Sequence, residues 1–172
     1  RASESLPSVL VRADKPGEWA LELDWGVVIP LALLGAGLDP ETPIAVVCPS
    51  PSLSRPQLIA LGAALVDAAD QCGRRLALIV SADQGHGHAA DGRYGFAAES
   101  ALYDARMNDA MQANDLARLL DWPEEFPEAA LADSYWQTLC LLGVQQRIPL
   151  SAHFLSYEID HYFGQMCASF RV

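Results

Sequence analysis

The chain has no CxxC pair: its four cysteines, Cys48, Cys72, Cys140 and Cys167, are scattered through 172 residues. That spacing gives a zinc finger no support. Three of the four sit inside strongly apolar segments, so buried, reduced thiols and a cytoplasmic protein are the expectation. Basic clusters are missing as well. No run of Lys or Arg exceeds Arg74-Arg75 and the net charge is −11, which argues against nucleic acid as a partner. Long apolar runs are also lacking. Val27 to Leu38 is interrupted by Pro30 and falls short of the roughly 20 residues needed to cross a bilayer, so no membrane association is expected. There is no signal-peptide pattern and no initiator methionine, and the polar opening RASESLPS reads as the middle of a chain.

What is present is a globular composition, 51% hydrophobic and 19% charged, on a length that suits one domain with a sizeable core. Asp24 is placed to cap a helix through the apolar run that ends at Leu38. Ile44–Cys48 reads as a buried strand between Pro43 and Pro49. Ser54-Arg55-Pro56 is a helix start, with Leu58, Leu61, Leu65, Val66 and Ala69 on one face and Gly73 as the stop. Leu76–Val80 reads as a second buried strand. Strand, helix, strand at this spacing predicts a parallel βαβ unit. The fold expectation is therefore α/β, with a central, mostly parallel or mixed sheet and helices on both faces. Further helices are predicted over about 97–113, 116–120 and 134–143, then a strand over 150–157. Residues 159–170 read equally as helix or strand.

The chemistry concentrates after the second predicted strand. Leu76 to His88 reads LALIVSADQGHGH, delivering His86 and His88 on a glycine-rich turn where α/β proteins place ligands. In extended backbone an H-x-H pair puts both rings on one face, which suits a metal, with Asp83 and Asp91 the nearby carboxylates. A single imidazole there also suits a general acid or base near neutral pH. That role is assigned to His86, with His88 in support. Further on, Ser134 and Gln137 have the spacing of a capping box, which would reduce Asp133 to a neighbour of the cap.

Five motifs in order, DWG-x-x-x-PL (Asp24–Leu31), S-A-D-x-x-H (Ser81–His86), R-Y-G-F with Y-D (Arg93–Phe96, Tyr103-Asp104), L-L-G (Leu141–Gly143) and L-S-Y-E-x-D-x-Y-F-G (Leu155–Gly164), resemble the class III extradiol ring-cleavage dioxygenases. These form the LigB-like superfamily, which also contains Memo-like proteins. The resemblance runs from about Trp19 to Phe170. It implies non-haem Fe(II), held by two histidines and a carboxylate, that opens a catechol- or aminophenol-type ring with O2. It places the family's acid/base histidine at His86 and its carboxylate ligand at Asp133, and it assigns Asp83, His88, Trp25 and Tyr157 to the substrate pocket.

The chain also departs from that pattern. Trp25 stands where the family has the histidine of D-H-G, Ala82 replaces a glycine and Gly85 a serine. The family's two metal-binding histidines belong to a portion upstream of these motifs. The resemblance thus makes residues 1–172 a single LigB-like domain, the C-terminal two-thirds of a longer one. It leaves open a fragment, a chain paired with an N-terminal segment or second subunit, and a non-catalytic Memo-like metal- or ligand-binding protein. Zinc in place of iron, or a zinc hydrolase at the same site, are the further alternatives. An oligomer or such a pairing is expected because an open sheet edge is otherwise uncovered.

Overall fold

Ser54 begins a helix for the reason its neighbours suggest. In the computed structural model, which describes residues 23–35, 37–39 and 42–172, Ser54 N–H donates to Gln57 Oε1 at 2.9 Å and Pro56 sits in the first turn, where its missing N–H costs nothing. The described residues fall into two compact units divided between Val46 and Val47.

In the first unit, α1 (Trp25–Gly35) is capped as expected: Asp24 Oδ1 accepts Val27 N–H at 3.2 Å. None of its residues is buried.

The second unit holds the core. Helix α2 (Arg55–Gln71) ends where Gly73 takes φ 60°, with Arg74 N–H returning to Ala69 O at 2.9 Å. Helix α3 (Ala98–Gln112) follows, then a 3₁₀ turn (Leu116–Asp121), the single-turn α4 (Phe126–Ala129) and α5 (Tyr135–Gln145). Helices α2 and α5 pack so closely that a Cβ on Gly62 would strike Cys140 O, and one on Gly143 would strike Ile59 O. The buried face of α2 therefore centres on Gly62, between Leu58 and Val66. Arg55 ties the start of α2 to the next layer, donating to Leu120 O and Trp122 O at 2.7 Å each. Between the layers Trp122 meets Tyr103 and Phe126 edge-on, at 5.2 and 5.4 Å between ring centres, the geometry aromatic quadrupoles favour.

The chain closes with an antiparallel hairpin, β1 (Ser151–Asp160) and β2 (Phe163–Arg171), in register from Ser151 opposite Arg171 to Asp160 opposite Phe163 and bulged near Leu155. Phe154, Met166 and Phe170 pack against the core.

This overturns the expected α/β fold. Among the described residues the only sheet is that two-stranded antiparallel hairpin. Ile44–Cys48 and Leu76–Val80 are neither helix nor strand, so the predicted βαβ unit is not formed. An apolar run becomes a strand only when a neighbour satisfies its backbone N–H and C=O groups. Among the described residues no backbone hydrogen bond joins Leu76–Val80 to the hairpin. Ile44, Val46, Val47, Leu76, Leu78 and Ile79 are all exposed. All four cysteines are free, but Cys140 alone is buried and Cys48, Cys72 and Cys167 are exposed, so the expectation of buried thiols holds only at Cys140. No helix is long and apolar enough to cross a membrane among the described residues.

Candidate metal centre

Past the unpaired apolar stretch, the histidine loop acquires partners. Gln84 N–H donates to Gly164 O at 2.9 Å, Gly164 N–H to Gly85 O at 3.0 Å, and His88 N–H to Tyr162 O at 3.1 Å. The loop thus uses the first residues of β2 as its template. Its other side lies on α3. A Cβ on Gly85 or Gly87 would overlap Ser100, which is why glycine stands on both sides of His86. Gly87 N–H donates to Ser100 Oγ at 2.9 Å, and that hydroxyl donates onward to Ala130 O at 2.7 Å.

The second loop runs from α4 to α5. Leu131 adopts φ 50°, a left-handed conformation unusual for a branched residue, and its carbonyl accepts from His86 Nδ1 at 2.7 Å. A carbonyl can only accept, so Nδ1 carries the proton and Nε2 is left as the basic nitrogen. Two residues on, Asp133 Oδ1 accepts Asp83 N–H at 2.8 Å. The outcome is a cluster in which one ligand atom each from Asp83, His86 and Asp133 lies within 4.8 Å of the others.

The electrostatics of the cluster are mutual. The Asp83 carboxylate, 3.8 Å from His86 Nε2, raises the imidazole pKa above its ordinary 6.5 against the opposing effect of burial. Burial raises the Asp133 carboxyl above its ordinary 3.8, and repulsion from Asp83 adds to the rise. Two carboxylates and an imidazole this close relieve their repulsion by holding a proton or a cation. The mixed oxygen and nitrogen donors suit a first-row divalent ion.

An aromatic wall stands beside His86. Phe163 stacks on the imidazole at 5.9 Å with 20° between planes, Tyr94 meets it edge-on at 5.5 Å, and Tyr162 lies at 6.2 Å. A groove of about 370 Å³ has Asp83, Ser156, Glu158, Gln165 and Cys167 among its walls. A larger cavity of about 510 Å³ lies between Arg55 and Arg147, lined by none of the cluster residues.

Of the residues singled out from the sequence, Asp83, His86 and Asp133 come together. His88 does not join them. Its Nε2 donates to Asp104 Oδ2 at 2.8 Å, so the H-x-H pair divides between two partners. Tyr157 donates its hydroxyl to the same Asp104 oxygen at 2.6 Å. Trp25 opens α1 in the first unit, 65% exposed. Ser134 is not a side-chain cap: its hydroxyl bonds Gln84 Oε1 at 3.1 Å and pairs with Tyr103 OH at 2.9 Å. Sequence reasoning missed Ser100 and Asp104 as site residues. Their signal was two polar residues at i, i+4 on the same helix as the apolar Tyr103, Met107 and Met111. No protein-family model matches the chain, and no curated protein matches it.

Proposed function

We propose that this chain belongs to a class III extradiol ring-cleavage dioxygenase, taking a catechol or aminophenol and O2, with His86 as acid/base and Asp133 as the carboxylate ligand of Fe(II). The observation that carries this reading is the approach of His86 and Asp133, from loops 47 positions apart, to within 4.8 Å of each other. Those are the two residues to which the motif resemblance gives the proton carrier and the ligand.

The donor chemistry fits iron at Asp133, with the second and third ligands of a two-histidine, one-carboxylate set coming from outside the described cluster. When bound, iron supplies the redox chemistry with O2 and a binding site for the ring oxygens. The rest falls to the chain. His86 Nε2 takes a proton from a ring hydroxyl and later returns it, since its Nδ1–H is already committed to Leu131 O. Asp83 favours the protonated imidazole during that interval. Tyr94, Tyr162 and Phe163 offer an aromatic ring apolar faces, and Asp83 N–H holds Asp133 in orientation.

The same reading has the chain work with an N-terminal segment or second subunit that brings the two histidines, and the uncovered apolar residues of Leu76–Val80 support it. It also places the protein in the cytoplasm, where four free thiols stay reduced. Oxygen uptake by anaerobically iron-loaded full-length protein, on a panel of catechols and aminophenols, tests the activity. A ring-opened yellow product is expected, with turnover reduced by about 10²–10⁴-fold in His86→Ala. No product from any substrate, or full turnover in His86→Ala, overturns it. One observation favours a second reading, a Memo-like metal-binding protein with no oxygenase activity: the cluster supplies two carboxylates and only one imidazole. Tight Zn(II) binding without oxygen uptake would select it.

A further inference from the structure

We infer that Asp104 is the positioning residue of this site, setting the aim of His86 without touching substrate or metal; the role rests on the dioxygenase reading for its kinetic consequence. Asp104 is 1% exposed and lies in the middle of α3, one turn after Ser100. Its two carboxylate oxygens accept three hydrogen bonds. Oδ1 takes Gly85 N–H at 2.7 Å, and Oδ2 takes His88 Nε2–H at 2.8 Å and Tyr157 O–H at 2.6 Å.

The residues gripped are those on either side of His86. Asp104 fixes Gly85 and His88, and Ser100 fixes Gly87. His86 itself makes no bond to α3; its ring reaches across to Leu131 O. Its direction is therefore dictated by its neighbours' attachment to one helix. The opposite loop is attached to the same helix turn, through Ser100 Oγ to Ala130 O and Tyr103 OH to Ser134 Oγ. Ser100, Tyr103 and Asp104 thus form a buried polar ridge that sets the spacing between the proton carrier and Asp133. The fit at Asp104 is tight: a Cβ on Gly164 would collide with Asp104 Oδ2, so the carboxylate occupies the space that a side chain at 164 would need.

Asp104→Asn keeps the shape and one acceptor, but either way round its N–H₂ faces at least one donor, Gly85 N–H or the pair His88 Nε2–H and Tyr157 O–H, and an unsatisfied buried donor is costly. Two readouts test the role in the full chain. The first is NMR of the His86 ring protons, shifted by the stacked Phe163. In Asp104→Asn these are expected to move toward exposed-histidine values, while core signals of Trp122 and Leu139 stay. The second is oxygen-uptake kinetics, where displacing the proton carrier lowers kcat by roughly a hundredfold with KM for catechol nearly unchanged.

Unmoved His86 signals with unchanged kcat overturn the inference. So does a loss of efficiency that comes from a raised KM alone. If Asp104→Asn does not fold, Ser100→Ala and Tyr157→Phe decide, by whether they displace the same ring signals with the core intact. An absence of turnover in the unmodified protein would sink the dioxygenase reading but leave the ring-signal test standing.

Discussion

Replacing Gly143 by alanine should destabilise the protein, although alanine is the better helix former. In an uncrowded helix interior the exchange gains about 1 kcal/mol. At Gly143 the new methyl would sit on the carbonyl of Ile59 in α2. Overpacking costs about 1–3 kcal/mol where side chains can shift. Here the obstacle is backbone, so the upper end applies, and the net loss is about 2 kcal/mol. For a chain of this size that lowers Tm by about 4–8 °C. Gly62→Ala meets Cys140 O at the same crossing and should cost a similar amount. Once one methyl has forced α2 and α5 apart, the second finds room, so the double variant should lose markedly less than the sum. Urea titrations followed by circular dichroism measure all three. Stabilisation by either single variant, or strict additivity, would refute the close-packing argument. Activity offers a second check, because α5 begins two residues after Asp133 and cannot move without it.

Stability should fall as pH rises, in the absence of added metal. His86 has a raised folded-state pKa, so its contribution is complete below 6.5 and is lost as pH climbs through the higher folded value. Asp133 is raised too, so the native state also binds its proton more firmly than the unfolded chain does, and stability drops as pH climbs past 3.8. Urea midpoints across pH 4 to 8 should trace this decline, and Asp83→Asn should flatten it; a rising or flat profile in the unmodified protein contradicts the assignment. Burial pushes the Cys140 thiol up to about 11. Mass spectrometry after iodoacetamide at pH 8 should therefore find Cys48, Cys72 and Cys167 alkylated and Cys140 intact. Arg55→Ala should cost about 1 kcal/mol by removing the donors to Leu120 O and the part-buried Trp122 O, and Arg55→Lys should not restore it in thermal melts, because one ammonium lacks the fork that reaches both.

Where local chemistry decides, the sequence was readable. Ser54, Pro56 and Gly73 bound α2 within a residue of its expected limits, and Asp24 caps α1, because caps and turn conformations depend on a few adjacent atoms. The parallel sheet was misread because a strand is defined by its neighbour, and the apolarity of Leu76–Val80 says nothing about whether one is present. Residues 159–170 were ambiguous for the related reason that β2 owes its conformation to β1. The site was legible in part. His86 and Asp83 stood out beside their glycines. Asp133 was dismissed by capping logic and brought forward only by the motif resemblance, since the meeting of two loops leaves no mark on either. Asp104 was quoted within a motif, but its role depends on three donors from separate stretches of chain.

The tautomer of His86 is held by a main-chain carbonyl, that of Leu131. Every amino acid supplies that group, so the choice of basic nitrogen is insulated from the identity of residue 131 and depends only on the path of the chain there. That path is left-handed at φ 50°, a conformation that glycine or asparagine adopts more cheaply than leucine. Position 131 is therefore constrained by the shape of its backbone rather than by the chemistry of its side chain, and insertions or deletions between α4 and α5 are the changes that would register most.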